Sequence, residues 1–309
     1  MKIQKKYGGV VVPMVTPFTE ERKVDPVGVN KLVNHLIGSK AIPFIIGTTG
    51  ESTSIPAVEK VKLVKETVKA TAKRTLVYAG ISGTCLEESV ADAKTYHDLG
   101  VDVVVSTMPY YYPADENQML AYFEEVANRI PCPLIIYNIP ATTHLSIPIN
   151  VVNQLSMHEN IVGFKDSEKG IERIDAATTL WKNRLDFSYL LGWALQSAYA
   201  VKLGADGIVP STGNIAPAVY KAIMDAAENG QEDLICLAQQ KAEHISKFYQ
   251  EGRTLSHSLS ALKAMLSGYG LCGPQMLPPL YRLGVSQEKL ITDICYNSFG
   301  DLNELNSVK

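Results

Sequence analysis

The chain has 309 residues, a length that suits two domains of ~150 residues or a single α/β barrel of ~250 with an appendage. Hydrophobic residues make up 46% and charged residues 20%, enough to bury a large core, which excludes intrinsic disorder. A net charge of −3 offers no field for a polyanion, and no apolar run reaches the ~18–20 residues that span a bilayer, so neither nucleic acid nor membrane is an expected partner.

The opening stretch, residues 1–17, carries early lysines and then Val10-Val11-Val12. Prolines interrupt it and no small-residue cleavage site follows, so it reads as a strand and not a signal peptide. Apolar runs rich in β-branched residues recur at 9–16, 43–48, 76–81, 101–107, 134–138, 161–165, 187–192 and 206–210. Most are continuous, as parallel strands covered on both faces require. Amphipathic segments separate them. In 56–72, Val58, Val61, Val64 and Val68 recur at helical steps, and 86–99, 117–129, 170–182 and 216–227 read likewise. Gly100 and Gly204 stand where helices exit through a left-handed residue.

Eight strand–helix repeats predict a (β/α)8 TIM barrel over residues 1–230, the unit expected to carry any catalytic site. A doubly wound open sheet is the alternative, weakened by the absence of G-x-G-x-x-G after the first strand. From about Asn229 the strand signal ends, and 232–251, 259–269 and 287–297 read as helices. Residues 231–309 are therefore expected to form a C-terminal helical region packed on the barrel, with no linker between.

Cys85, Cys132, Cys236, Cys272 and Cys295 are odd in number and scattered, with no C-x-x-C. That pattern fits reduced thiols and a cytoplasmic protein. The six histidines show neither H-x-H nor H-E-x-x-H spacing, so each reads as surface or structural. No metal and no cofactor is expected.

Reacting groups of such barrels sit at the carboxyl ends of strands. The sixth strand closes on Phe164-Lys165-Asp166. A lysine ending an apolar run is poorly hydrated, which depresses its pKa and makes a neutral amine able to form a Schiff base with a carbonyl. The competing reading has Lys165 snorkelling to solvent or pairing with Asp166. Tyr137 ends the fifth strand 28 residues earlier, one repeat away and hence at the matching level. It is either a proton shuttle or a core aromatic. The second strand runs into Gly47-Thr48-Thr49-Gly50-Glu51-Ser52, whose glycines and hydroxyls suit one carboxylate and lack the lysine of a nucleotide loop; the plain alternative is an ordinary turn. After the fourth strand, Pro109-Tyr110-Tyr111-Tyr112-Pro113 either packs an interface or brings a hydroxyl to the mouth. Ser211 and Thr212 either bond substrate hydroxyls or cap the helix at 216–227.

In order and spacing, Val12-Pro13-Met14-Val15-Thr16-Pro17-Phe18, 47–52, 109–113, 137–140, 163–166 and Gly204-Ala205-Asp206-Gly207 resemble the dihydrodipicolinate synthase / N-acetylneuraminate lyase family of class I pyruvate-dependent aldolases. The resemblance covers nearly the whole chain. It implies that Lys165 is the Schiff-base lysine, Tyr137 the general acid/base, and Thr48 part of a proton relay completed by Tyr111 of a neighbouring subunit in a homotetramer, a dimer of dimers. Thr48, Thr49, Gly50, Thr142, Thr143, Val209 and Ser211 are the implied substrate-binding residues, with pyruvate the expected common moiety.

Departures narrow the choice. The synthases carry an arginine two positions after their Tyr-Asn-x-Pro; this chain has Thr142 there, and a hydroxyl does not replace a guanidinium fork. The sialic acid lyases have an acidic pair after the glycine ending the seventh strand; here Gly192 precedes Trp193-Ala194-Leu195. The branch acting on 2-keto-3-deoxy sugar acids looks most similar, and Ala114 in place of a phosphate-binding arginine implies a non-phosphorylated substrate. The expected reaction is reversible cleavage to pyruvate and an aldehyde. Sialic acid lyase, dihydrodipicolinate synthase and keto-deoxy sugar acid dehydratase activities are alternatives, as is, in a different class, a non-catalytic homologue that binds a 2-oxo acid.

Overall fold

The computed structural model describes residues 5–308; Met1–Gln4 of the opening stretch and Lys309 of the helical tail lie outside it. Eight strands close on one another in chain order: β1 Gly9–Pro13, β2 Ile42–Ile45, β3 Tyr78–Gly80, β4 Val103–Thr107, β5 Leu134–Asn138, β6 Ile161–Asp166, β7 Ser188–Leu191 and β8 Gly207–Ile208. All pairs are parallel, and β8 returns to β1 through Gly9↔Gly207 and Val10↔Ile208. This is the (β/α)8 TIM barrel. The open-sheet alternative is overturned by that last pairing.

Strand periodicity sorts each strand into two faces. Val11, Phe44, Tyr78, Val103, Val105, Ile135, Leu190 and Val209 fill the barrel interior as one cluster. The alternating residues, among them Val10, Val12, Ile45, Val104, Ile136 and Phe164, pack outward against the helices. Burial on both faces is why these runs are continuous and not alternating in the sequence.

Between the strands lie α1 Pro26–Gly38, α2 Ala57–Thr71, α3 Leu86–Asp98, α4 Glu116–Arg129, α5 Pro140–Thr143, α6 Ile149–Leu155, α7 Ile171–Trp181, α8 Ser197–Leu203 and α9 Pro217–Glu228. Asp25 caps α1 through the Val27 N–H, and Asp115 with Gln118 forms a capping box on α4. Gly204, in the left-handed region at φ +112°, ends α8, and Gly100, at φ +102°, follows α3. Ser211 and Thr212 do not cap α9. They lie in a 3-10 turn, Ser211–Asn214, and α9 starts with Ala216 at the cap and Pro217 in the first turn.

Four further helices follow: α10 Glu232–Gln250, α11 Leu255–Gly268, α12 Val285–Phe299 and α13 Leu302–Asn306. They are tied to the carboxyl-end loops of the barrel. The Tyr249 hydroxyl, on α10, lies 2.8 Å from both Ser211 Oγ and Thr212 Oγ1. Asn306, on α13, donates to the Ile215 carbonyl at 3.0 Å. Among the described residues no helix is long and apolar enough to cross a membrane, and no group of His, Cys, Asp and Glu is arranged to hold a metal ion.

Candidate active site

Position on β6 decides what Lys165 does. It is in phase with Gly163, so it points into the barrel, while Phe164 and Asp166 point out. Lys165 is 4% exposed, with Nζ 3.5 Å from the centroid of the Tyr137 ring and 4.8 Å from that of Phe44. The lysine neither snorkels nor pairs with its neighbour. Burial lowers its pKa from the ordinary value, partly offset by the Tyr137 ring and hydroxyl.

Asp166 is engaged elsewhere, behind the strand. Its carboxylate accepts from Arg173 Nε at 2.9 Å, Asn138 Nδ2 at 2.9 Å and the Glu168 N–H at 3.0 Å. Asn138, fully buried and adjacent to Tyr137, also donates to Glu168 at 2.8 Å and accepts from the Ile147 N–H at 3.0 Å. Burial raises the Asp166 pKa, and Arg173 opposes that shift. This network locks the ends of β5 and β6 together in the register Tyr137↔Lys165, Asn138↔Asp166.

Phe44 places β2 opposite β6, so the chain that leaves β2 rises across the mouth from Lys165. Ile46 there adopts φ +56°, a left-handed conformation that a β-branched residue takes at a cost of about 1–3 kcal/mol. Gly50 must be glycine: a Cβ would sit 2.9 Å from the Met14 carbonyl oxygen. Its own carbonyl accepts from Thr16 Oγ1 at 2.7 Å. Thr48 and Thr49, half-buried between these fixed points, donate from their N–H groups to no backbone carbonyl among the described residues. The turn that leaves β2 thus carries two backbone N–H groups with no backbone acceptor among the described residues.

The remaining expected residues divide. Val209 continues β8 and lines the interior with Tyr137 and Leu190. Thr143 is buried, and its hydroxyl lies 3.1 Å from the carbonyls of Ile139 and Leu145; its hydrogen bonding is spent on the backbone flanking α5. Thr142 is half-buried, with only a long 3.4 Å approach to the Ile139 carbonyl. Ser211 shares the Tyr249 hydroxyl but also lines a cavity of about 180 Å³ with Ser167, Trp193, Glu243 and Gln250. Tyr111 is not brought to Lys165 within the chain: it is 74% exposed and packs edge-on against Tyr112, centroids 5.0 Å apart.

Two features escaped the sequence reading. Glu243, from α10, brings a carboxylate to the cavity beside Ser167 and Ser211, where the loop after β7 supplies none. Glu51 is not a bystander of its turn but is ion-paired to Lys263 on α11, both buried. Nothing local marks either partner.

The architecture is a closed parallel barrel whose interior ends in a buried lysine beside a tyrosine, across from the turn after β2. The profile of the Dihydrodipicolinate synthetase family matches residues 6–295. An uncharacterized DapA-like lyase of Thermococcus onnurineus is 30% identical over 297 residues, 93% of this chain and 99% of its own. A 4-hydroxy-tetrahydrodipicolinate synthase of Brachyspira hyodysenteriae is 30% identical over 212 residues, 68% of this chain and 71% of its own. The dihydrodipicolinate synthase structure from Bacteroides thetaiotaomicron superposes with a TM-score of 0.90 at 30% identity, covering 96% of this chain and 100% of that one. The chain belongs to the dihydrodipicolinate synthetase family and is a carbon–carbon lyase or synthase of the class I aldolase type.

Proposed function

We propose that the protein cleaves, reversibly, a non-phosphorylated 2-keto-3-deoxy sugar acid to pyruvate and an aldehyde. The observation that carries the chemistry is the buried amine of Lys165 over the Tyr137 ring. The amine attacks the 2-oxo carbon and water leaves, giving an iminium. Tyr137 takes the proton of the C4 hydroxyl, the C3–C4 bond breaks, and its electron pair passes into the iminium to form an enamine. The aldehyde departs, the enamine is protonated at C3, and hydrolysis of the imine returns pyruvate and free Lys165. Thr48, Thr49 and Gly50 hold the carboxylate. A neighbouring copy supplies Tyr111 to a relay through Thr48 in a homotetramer, which accounts for three successive tyrosines left exposed on one chain.

Two features support a neutral, hydroxylated far end for the substrate. Thr142 stands where the synthases have an arginine for a second carboxylate, and the cavity beyond Ser167 and Ser211 carries the Glu243 carboxylate, an acceptor for hydroxyl groups. Synthase activity is the second reading, favoured by the relative that bears that name. A screen of 2-keto-3-deoxy acids, sialic acid and the synthase substrates decides between them. Pyruvate released together with an aldehyde from a keto-deoxy acid supports the proposal. Dehydration without pyruvate, or condensation of pyruvate with an amino-aldehyde acid alone, contradicts it.

A further inference from the structure

The fold buries a second lysine that the chemistry above does not use. Lys263 Nζ donates to Glu51 Oε1 at 2.5 Å and to the Gln275 carbonyl at 2.6 Å, and lies 4.3 Å from the centroid of the Phe18 ring. The other Glu51 oxygen accepts from the Leu277 N–H at 2.8 Å. The two side chains are 1% and 0% exposed and 212 residues apart, so the pair joins the turn after β2 to the C-terminal helical region. Burial depresses the Lys263 pKa, and the adjacent Glu51 carboxylate opposes that shift.

A buried ion pair is a weak source of net stability, because well-packed apolar residues of the same volume serve as well or better. What charge-assisted bonds add is direction. Glu51 follows Gly50 in a left-handed conformation, φ +61°, and its N–H bonds the Thr48 carbonyl at 3.1 Å. Thr16 holds the Gly50 carbonyl from the other side. The exit of the turn is thus pinned at two points immediately after the residues that present open donors.

We propose that Glu51 and Lys263 are positioning residues for the carboxylate cradle, holding the turn against α11 so that Thr48 and Thr49 converge on the carboxylate of a 2-oxo acid. Neither side chain touches the substrate. The inference rests on the reading of Lys165 as an imine-forming amine. Its consequence is selective: a ketone bearing a carboxylate loses affinity when the pair is broken, whereas one without a carboxylate does not.

Borohydride trapping on Lys165 tests this, with the rate measured against the concentration of pyruvate and, separately, of acetone. The proteins are the wild type, Glu51→Gln, Lys263→Met and the double variant Glu51→Leu/Lys263→Met. Glu51→Gln changes no volume and keeps an acceptor for the Leu277 N–H, the double variant removes both charges together, and trapping of acetone at the wild-type rate reports that each variant is folded. The half-saturating pyruvate concentration is expected to rise about 10- to 100-fold in the variants, the size of effect that small misplacements produce. The limiting rate and the acetone dependence stay unchanged. Variants with wild-type pyruvate dependence, or with pyruvate and acetone weakened alike, overturn the inference while leaving the proposed function intact. A wild type that is never trapped overturns both.

Discussion

Lys165 and Tyr137 are register partners on adjacent strands, and the lysine Nζ sits 3.5 Å from the centroid of the tyrosine ring. The aromatic face shelters the ammonium and the phenol oxygen is within reach of whatever condenses with the amine. Tyr137→Phe keeps the first role and removes the second. It should therefore still form the trapped pyruvate adduct, while turnover falls by about 10²–10⁴-fold. Full turnover in Tyr137→Phe would contradict the acid/base role.

The depressed pKa of Lys165 sets the sign of a stability effect. Its folded value lies below the ordinary 10.5, so between the two values the unfolded chain binds more protons and stability rises with pH. Below the folded value the wild type bears the whole penalty of burying the charge. Lys165→Met removes that penalty. Its gain in Tm over the wild type should be largest below the folded value and shrink as pH rises towards 10.5. A gain that grows with pH would show that the amine is not dehydrated in the fold.

Behind the site, Asp166 joins Arg173, Asn138 and the Glu168 N–H. Asp166→Ala leaves a guanidinium that is 17% exposed without its closest carboxylate. Removing one partner of such a pair costs about 3–5 kcal/mol, measurable by urea unfolding. A loss below about 1 kcal/mol, the range of surface pairs, would mean that the network does not hold β5 and β6 together.

Glu243 is the test of the far-end subsite. Glu243→Ala should raise KM for a polyhydroxylated substrate by about 10-fold or more, the loss of one or two hydroxyl bonds to a charged group, and leave pyruvate trapping untouched. Equal KM values for both proteins would remove the α10 carboxylate from substrate recognition.

Tyr111 and Tyr112 are 74% and 76% exposed on one chain, a large aromatic surface to leave in water. Light scattering should find an oligomer in the wild type and smaller species in Tyr111→Arg/Tyr112→Arg. A wild-type monomer with full activity would contradict the role given to Tyr111.

Much of this arrangement was legible in the sequence because it is periodic. The eight strands show as continuous apolar runs, and Lys165 and Tyr137 share a level because one repeat separates them. The apolar pattern starts α11 at residue 259, whereas the helix begins at Leu255 behind its Thr254 cap, since Ser256, His257 and Ser258 mask its apolar stripe. The short helices α5 and α6 were not separated from their loops, being too brief for a periodicity to emerge. Ser211 and Thr212 read equally as substrate ligands or as caps, and the pattern could not show that Tyr249, 38 and 37 residues further on, engages both hydroxyls. The Glu51–Lys263 pair and the Glu243 carboxylate depend on how the C-terminal helices fold back over the barrel. No local pattern encodes that.

The most direct measurement is reduction with borohydride in the presence of pyruvate, followed by peptide mapping of the intact protein. A single adduct on Lys165, lost in Lys165→Met and present in Tyr137→Phe, is the result this account predicts. An adduct on Lys263 or a surface lysine, or none at all while the enzyme turns over, would contradict it.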